Sequence, residues 1–268
     1  MVTVTTNRRV LVTGGGTFLG DQIALALLAE GADVTLLVRP GAENNLGELA
    51  RHTRWWTADI WDAASLRGRA RNHICVVNTI GSMNADPVQG LSYHRLNFVS
   101  ARNIVNMCVS DGVPHLILMS SVRAPWVNPQ YISAKREAEE YVRRVGMSAT
   151  IIRAPLVYAR GQSRPLFFQM LSALGSIPPF SWTRLRRIAP MPIDVLARGV
   201  ARVALESAAK RSEKPIYYAS DLRRLNTREE ARRGVIRLPS QDAPKIQPVS
   251  AMQVTDDDAP FGWTPPRG

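Results

Sequence analysis

The sequence predicts an α/β protein with a doubly wound, parallel sheet. Short apolar segments of strand character alternate with helical segments over residues 1–155, and a run of glycines separates the first strand from the first helix. Residues 74–79 are almost entirely apolar, which is typical of a strand covered by helices on both faces. Strands that alternate with helices form parallel sheets through right-handed crossovers. We therefore expect one parallel sheet between two helical layers.

The element boundaries follow from local signals. Gly31 ends the first helix, and Arg39 with Pro40 ends the second strand. Apolar residues recur near one face of the segment 93–110, as an amphipathic helix requires. The predicted strands cover residues 9–13, 33–38, 54–57, 74–79, 115–119 and 150–153, and the predicted helices cover residues 18–30, 42–51, 93–110 and 131–145.

The regular alternation weakens after Pro155. Residues 166–174 and 193–208 have helical character, and residues 216–219 are typical of a strand. We predict three parts, which are an α/β domain at residues 1–155, a small basic cap at residues 156–237 and a proline-rich extended tail at residues 238–268.

The composition limits the classes of protein that need to be considered. The chain has 268 residues, of which 45% are hydrophobic, so it can bury a sizeable core. No run of about 18 apolar residues occurs, and we therefore expect no transmembrane segment. The N-terminal residues lack the apolar core of a signal peptide, and we expect no long cleavable transit peptide. The four histidines and two cysteines show no ligand spacing, so no metal site is predicted.

The charge is strongly positive and unevenly distributed. The net charge is +12, and residues 181–237 contain fourteen Lys and Arg against six Asp and Glu. A positive region of this size favours nucleic acid, an anionic lipid surface or an acidic protein as a partner. The alternative is a generally basic, well-solvated surface, because arginine far outnumbers lysine.

The first turn between strand and helix has the composition of a phosphate-binding loop. Glycines allow the backbone to approach a pyrophosphate closely, and the following helix provides unpaired N–H groups and a partial positive charge. A tight turn without a ligand is the alternative. The candidate cofactor-binding residues of this loop are Gly14, Gly15, Gly16, Thr17, Phe18, Leu19 and Gly20.

This loop resembles the Gly-x-x-Gly-x-x-Gly motif of the extended and atypical short-chain dehydrogenase/reductases. The resemblance implies a Rossmann fold that binds a nicotinamide dinucleotide. Gly14 and Gly20 match the first and third glycines of the motif, but Thr17 replaces the second. We expect the Cβ atom of Thr17 to narrow the approach to the pyrophosphate.

The end of the second strand indicates which dinucleotide is bound. NAD-preferring members carry an acidic residue there, whereas this chain has Arg39, and Asp33 lies at the wrong end of the strand. A guanidinium can make charge-assisted hydrogen bonds to a 2′-phosphate. We therefore predict NADP(H) as the cofactor.

Further residues of the cofactor site follow from the resemblance. Asp59 resembles the aspartate that contacts the adenine, although it could instead cap a helix that begins near Asp62. The resemblance also assigns Ile60, Thr79, Gly81 and Pro155 to the cofactor site.

A second motif supplies candidate catalytic residues. Tyr131 and Lys135 are four residues apart, so they share one helix face, and they match the Tyr-x-x-x-Lys motif of the family. The resemblance implies that the tyrosine exchanges a proton with the substrate oxygen, while the lysine holds the cofactor ribose and lowers the pKa of the tyrosine. It also implies that Ser121 polarises the substrate and that Asn97 belongs to the same site. Because the linker from Ser121 to Tyr131 is short, the alternative is that these residues grip the ribose without turnover.

Three interpretations of the whole chain remain. Residues 78–81, 187–197 and 215–219 resemble a branch that contains the nucleotide-binding accessory subunit of mitochondrial respiratory complex I and its relatives in ubiquinone biosynthesis. That resemblance implies a structural, NADP(H)-holding subunit of a large membrane-associated complex on the matrix side of the mitochondrial inner membrane. The first alternative is a free-standing, cytoplasmic NADP-dependent reductase or epimerase-like enzyme. The second is an RNA-binding Rossmann protein, although the basic region lacks interleaved aromatic residues.

Overall fold

A computed structural model describes residues 8–159, 188–208 and 214–232 of the chain. Its strands are β1 (Arg9–Gly15), β2 (Asp33–Val38), β3 (Arg54–Thr57), β4 (Cys75–Asn78), β5 (Leu116–Ser121), β6 (Ala149–Ala154), β7 (Val157–Tyr158), β8 (Met191–Pro192) and β9 (Ile216–Tyr218). Seven of them form one parallel sheet in the order β3-β2-β1-β4-β5-β6-β9, while β7 and β8 pair separately. This order confirms the predicted doubly wound α/β fold.

Helices cover both faces of the sheet. They are α1 (Phe18–Ala29), α2 (Leu49–His52), α3 (Ala63–Leu66), α4 (Ser100–Ser110), α5 (Pro129–Val145), α6 (Ile193–Ala208) and α7 (Ala219–Arg232). Side chains alternate along a strand, so Val10 and Val12 of β1 join one apolar cluster while Leu11 joins the other. The first cluster includes buried residues of α1 and α6, and the second includes buried residues of α4 and α5.

Two predicted helices differ from the observed ones. The predicted helix at residues 42–51 is divided into a 3₁₀ turn (Glu43–Leu46) and α2, because Gly47 between them has a φ of 50° that no α-helix contains. The predicted helix at residues 93–110 is helical over its whole length, but a π-helical turn (Arg95–Val99) precedes α4 within it. Periodicity cannot distinguish these local variants from a continuous helix.

The C-terminal part of the described chain returns to the main sheet. Residues Ile216, Tyr217 and Tyr218 of β9 pair with Ile151, Ile152 and Arg153 of β6. The helix α6 matches the predicted range, whereas α7 was not predicted. The predicted helix at residues 166–174 and the tail at residues 238–268 lie outside the described residues. Among the residues that the structure describes, no helix is long and apolar enough to cross a membrane.

The strand order creates a crevice between β1 and β4. The chain winds outward in opposite directions from these two strands, and ligands of doubly wound sheets bind at the carboxyl ends of the strands where this reversal occurs. The two strand ends are joined by polar contacts. Thr13 Oγ1 donates to Asn78 Oδ1 over 2.9 Å, and the Thr79 hydroxyl donates to the carbonyl of Thr13.

Candidate functional site

The glycine loop connects β1 to α1 and is closed by the side chain of Thr17. Thr17 has a φ of −119° and a ψ of 152°, which is an extended conformation open to any residue. Its hydroxyl donates to the carbonyl of Gly14 over 2.6 Å and accepts the N–H of Gly20 over 3.3 Å as the N-cap of α1. These bonds engage the hydroxyl within the loop, and the narrowing of the pyrophosphate approach by the Cβ atom of Thr17 stays a prediction.

Gly20 allows the first turn of α1 to lie directly against the loop. A Cβ atom at Gly20 would overlap the carbonyl oxygen of Gly14 and would lie 2.8 Å from its carbonyl carbon. The N-terminus of α1 is thereby brought to the crevice between β1 and β4. A helix N-terminus in this position is suited to a phosphate group.

An acidic residue, Asp21, lies in the first turn of α1 and was not singled out from the sequence. Its Oδ1 accepts the N–H of Gly16 over 2.8 Å. Burial raises the pKa of Asp21 to about 7, although the hydrogen bond from Gly16 opposes this shift. An acid in the first turn ordinarily indicates only a favourable interaction with the helix dipole. Here the carboxylate accepts the hydrogen of a backbone N–H in the loop, next to the predicted pyrophosphate site.

Arg39 follows β2 and lies beside the glycine loop. A Cβ atom on Gly16 would approach the carbonyl oxygen of Ala42 to 3.1 Å, so the loop and the turn after Arg39 are in contact. The Nε atom of Arg39 is buried, and no group among the described residues accepts its hydrogen. A buried guanidinium N–H without an acceptor fits an anionic ligand such as a phosphate.

The turn after β3 corrects one interpretation of Asp59. Asp62, not Asp59, is the N-cap of α3, and its Oδ1 accepts the N–H of Ala64 over 2.8 Å. Asp59 Oδ1 instead accepts the N–H of Trp61 over 2.9 Å. Ile60 is fully buried in the cluster that contains α4 and α5. The alternative of Asp59 as a helix cap is thus wrong, and its contact with adenine stays a prediction.

Gly81 lies where the loop after β4 passes the catalytic candidates. It has a φ of 146°, and a Cβ atom there would overlap Lys135 Nζ and lie 2.6 Å from Asn97 Oδ1. Any side chain at this position would displace both groups. Thr79, two residues earlier, donates its hydroxyl to the carbonyl of Thr13 and its backbone N–H to Thr13 Oγ1 over 3.2 Å, so both groups hold β1 and β4 together.

Asn97 fixes the same loop from the π-helical turn. Its Oδ1 accepts the N–H of Ser82 over 2.9 Å, and its Nδ2 donates to the carbonyls of Ser82 at 2.8 Å and Tyr93 at 3.0 Å. The side chain is completely buried. π-helical turns are frequent at functional sites because they redirect individual side chains. Asn97 therefore shapes the site through the backbone of the loop.

The structure brings Ser121, Tyr131 and Lys135 together at the carboxyl end of β5. The linker between Ser121 and Tyr131 is short, yet Ser121 lies close enough to lower the pKa of Tyr131, while its hydroxyl donates to the carbonyl of Val122 over 3.2 Å. Lys135 Nζ donates to the carbonyls of Met119 at 3.2 Å and Ile80 at 3.4 Å. Pro155, which follows β6, is buried next to the strand pair that ends at Ser121 and Ala154.

Burial shifts the pKa values of both residues of the Tyr-x-x-x-Lys motif. It raises the pKa of Tyr131 to about 12, and the hydrogen bond with Ser121 and the charge of Arg136 oppose that shift. It lowers the pKa of Lys135 to about 8, and the charge of Glu139 opposes that shift. The lysine is therefore still mostly protonated at pH 7.

A buried ion network, absent from the sequence-based site, lies next to these residues. Glu139 is fully buried and forms ion pairs with Arg136 and Arg153, and it accepts the hydroxyl of Ser120 over 2.6 Å. Burial alone would raise the pKa of Glu139, but the bonds from Arg153 and Ser120 and the charge of Arg136 hold it below its usual value. The available signal in the sequence was the spacing of 131, 135 and 139, which places all three on one helix face.

No group of histidine, cysteine and acidic residues within the described part of the chain is suited to hold a metal ion. Both His73 and His115 are buried and hydrogen-bonded near the opposite end of the sheet from the crevice. His73 Nε2 lies 3.0 Å from Thr35 Oγ1, and His115 lies 3.0 Å from both Ser148 Oγ and Thr150 Oγ1.

Residues 14–167 match the family model described as NAD(P)H-binding. This range contains the glycine loop, Arg39 and the Ser121–Tyr131–Lys135 group, and it covers more than half of the chain.

Individual relatives and solved structures extend this finding. The chain is 27% identical over 202 residues to a ceramide reductase of Caulobacter vibrioides, covering 72% of this chain and 60% of that protein. It is 26% identical over 163 residues to an uncharacterised chloroplastic protein of Arabidopsis thaliana, covering 58% of this chain and 52% of that protein. The chain thus spans about half to three fifths of the length of these relatives. A UDP-glucose 4-epimerase of Thermus thermophilus in complex with NAD has the same fold, with a TM-score of 0.54, 18% identity and 83% coverage of each chain.

Proposed function

Since the chain belongs to the NAD(P)H-binding family, we propose that it is an NADP(H)-dependent oxidoreductase that reduces a carbonyl group or oxidises the corresponding alcohol. The observation that carries this proposal is the contact between Ser121 and Tyr131 beside the buried ammonium of Lys135. These three groups form a proton-donating site at the mouth of the crevice.

The proposed cofactor fits the residues of the crevice. The N-terminus of α1 and the glycine loop would hold the pyrophosphate, and Lys135 would hold the hydroxyls of the nicotinamide ribose. The preference for NADP(H) over NAD(H) rests on Arg39, whose buried Nε lacks an acceptor among the described residues. A 2′-phosphate would supply that acceptor.

Each side chain has a distinct chemical role in this proposal. The nicotinamide ring, when bound, supplies or accepts the hydride. Tyr131 donates its phenolic proton to the substrate oxygen during reduction and regains it during oxidation. Ser121 donates a hydrogen bond to the same oxygen, and the positive charge of Lys135 stabilises the tyrosinate that forms. Asn97 holds the loop at Ser82 and Gly81 in the conformation that leaves room for Lys135.

The test compares two tyrosines of the same helix. Tyr131→Phe should lower the rate of NADPH-dependent reduction of an aldehyde and ketone panel by about a hundredfold or more, because general acid catalysis contributes that much. Tyr141→Phe is the matched control, since Tyr141 bonds Asn106 on α4 and lies away from the site. Equal rates for the Tyr131 variant and the unchanged protein would rule out the proposed role. A protein that binds NADPH but reduces nothing would favour a structural, cofactor-holding role.

That structural role is the second candidate, an NADP(H)-holding subunit of a membrane-associated respiratory complex on the matrix side of the mitochondrial inner membrane. One observation favours it, because a tyrosine with a pKa of about 12 is a weak acid for turnover at neutral pH. The basic residues 181–237 are consistent with docking to acidic protein or anionic lipid. The resemblance to the branch of the complex I accessory subunit rests on short motifs.

Purification from the native source distinguishes the two candidates. A structural subunit should co-fractionate with a large complex in mild detergent and release NADP(H) when the complex is denatured. Salt should weaken a charge-driven association, since the Debye length falls from about 10 Å at 0.1 M to about 3 Å at 1 M ionic strength. A protein that migrates as a monomer or small homo-oligomer in native extracts would exclude the subunit role.

A further inference from the structure

Tyr131, Lys135 and Glu139 follow one another at intervals of four residues on the buried face of α5. We propose that Glu139 is a positioning residue of the oxidoreductase site, which anchors Arg136 against the end of β5 and provides the countercharge that keeps Lys135 ionised. This inference rests on the proposed function, because it assigns a role in the same site.

The first support is a continuous chain of contacts from Glu139 to Ser121. Glu139 Oε1 accepts NH1 of Arg136, and the same NH1 group donates to Ser120 Oγ over 3.0 Å. The other end of the guanidinium, NH2, donates to the carbonyl of Ser121 over 2.8 Å. Arg136 thus connects Glu139 to Ser121, the residue that contacts Tyr131, so the position of Ser121 depends on Glu139.

The second support is that the network contains more charge than a structural pair requires. One buried carboxylate lies between two guanidinium groups, because Arg153 also donates to Glu139 through Nε at 3.1 Å and through NH2 at 2.5 Å. Arg153 NH1 donates in turn to the hydroxyl of Tyr218 over 3.0 Å. The carboxylate is therefore held in place by Arg136 from its own helix and by Arg153 from β6.

The third support is electrostatic, and it depends on all the groups that face Glu139. These are Lys135 and Arg136 from α5, Ser120 from β5, Arg153 from β6 and Tyr218 from β9, which reaches Glu139 through Arg153. The charge of Glu139 raises the pKa of Lys135 against the effect of burial. Without this carboxylate, Lys135 would lose its proton at a lower pH and would bind the ribose hydroxyls more weakly there.

The experiment measures the dissociation constant of NADPH for the full chain between pH 6.5 and 9 by fluorescence titration. Glu139→Gln should shift the weakening of NADPH binding at high pH to lower pH, so that the ratio of dissociation constants between pH 8 and pH 6.5 increases roughly twofold or more, as half a pKa unit implies for a lysine with a pKa of about 8. Glu140→Gln is the control, because Glu140 is exposed and paired with Arg143 on the same helix. Asp21 and the cofactor phosphates titrate alike in all variants, so differences between the curves report on α5.

A second variant keeps the test decisive if Glu139→Gln does not fold. Arg136→Met retains the pair of Glu139 with Arg153 and leaves the carboxylate less neutralised. Lys135 should then keep its proton to higher pH, so the weakening of NADPH binding should move in the opposite direction, to higher pH. The folded variants could show a lower melting temperature while the pH dependence of NADPH binding stays unshifted. This result would overturn the positioning role and leave Glu139 a structural residue. If the unchanged protein binds no NADPH, the proposed function fails instead, which separates the two outcomes.

Discussion

At the end of β2, Arg39 with its buried Nε is the residue that we expect to distinguish the two dinucleotides in the proposed cofactor site. Arg39→Ser should weaken NADPH binding by roughly tenfold to a hundredfold, because a hydrogen bond to a charged group contributes about 1.5–3 kcal/mol. NADH binding should change little, since NADH lacks the 2′-phosphate. Isothermal titration calorimetry with both nucleotides measures this, with Arg51→Ser as the control, because Arg51 is exposed and pairs with Glu48. Equal affinities of the unchanged protein for NADPH and NADH would contradict the assignment.

Asp21 makes the affinity for the cofactor dependent on pH. Its pKa of about 7 means that the carboxyl is mostly neutral at pH 6 and mostly ionised at pH 8, where it repels a pyrophosphate. Asp21→Asn keeps an oxygen that can accept the Gly16 N–H, so NADPH binding should tighten by roughly tenfold at pH 8 and change little at pH 6. Asp62→Asn is the control, because Asp62 caps α3 in the same way but is exposed. If the NADPH affinities of Asp21→Asn and the unchanged protein differed by the same factor at pH 6 and pH 8, this account would be contradicted.

The same substitution should also change stability, with a sign that follows from the pKa. The ordinary pKa of Asp21 is 3.8 and the folded value is about 7, so its contribution to stability is fully present below pH 3.8 and is lost as pH rises through 7. Above pH 7, Asp21→Asn should therefore increase the free energy of unfolding by a few kcal/mol, at about 1.4 kcal/mol per unit of pKa difference. Urea denaturation at pH 5 and pH 8 measures the change.

Single residues show where sequence reasoning about the site stops. Tyr131, Lys135 and Ser121 could be predicted because their spacing and position in the α/β alternation are distinctive. Glu139 and Asp21 could not, because an acidic residue on a helix is ordinarily exposed and only the packing shows that Glu139 is buried and Asp21 partly buried. The hydrogen bonds of the Thr17 hydroxyl within the loop could not be predicted from the residue type alone either.

Among the elements, α6 and α7 pack unusually closely at Gly199. A Cβ atom there would lie 2.8 Å from Leu222 Cβ, which is closer than two such atoms can approach. Gly199→Ala should therefore lower the free energy of unfolding by about 1–3 kcal/mol, as overpacking does. In the background of Leu222→Ala the same change should be neutral or stabilising, because alanine is favoured over glycine inside a helix by about 1 kcal/mol. A double-mutant cycle measured by urea denaturation detects the coupling, and additive effects would contradict the close contact.

The elements that sequence patterns missed share a physical cause. The helix α7 has few apolar residues and many charged ones, so its periodicity is weak, although Leu222 is fully buried. The strands β7 and β8 have two residues each, which is too short for any alternation to be visible. By contrast, β2, β3 and α6 were predicted with their observed bounds, because their apolar patterns are clear.

On the scale of the whole molecule, two buried histidines that we expect to affect its acid stability lie apart from the candidate cofactor site. His73 and His115 are buried near the amino ends of β4 and β5, and burial lowers the pKa of both from the ordinary value of 6.5. Their contribution to stability is therefore fully present above pH 6.5 and is lost as pH falls below it. One pH unit below that value, the low pKa of each buried histidine lowers the free energy of unfolding by at most about 1.4 kcal/mol.

Replacement of one histidine should reduce this acid sensitivity. His115→Asn keeps polar atoms near Ser148 and Thr150 but cannot titrate, so the loss of unfolding free energy between pH 7.5 and pH 5.5 should be smaller by about 1 kcal/mol. Thermal unfolding followed by circular dichroism at both pH values measures the difference. The exposed His52 provides the control as His52→Asn, which should leave the pH dependence unchanged.

The position of β9 has a consequence for the order of events during translation. Arg153 on β6 reaches both Glu139 and Tyr218, and Tyr218 belongs to the strand that is added last among the described elements. A nascent chain that has not yet released residues 216–218 from the ribosome already contains the glycine loop, Arg39 and the whole of α5. It still lacks Tyr218, which is the second partner of Arg153 beside Glu139. The emerging protein would therefore contain the residues of the proposed dinucleotide site before the ion network around Glu139 is fully assembled.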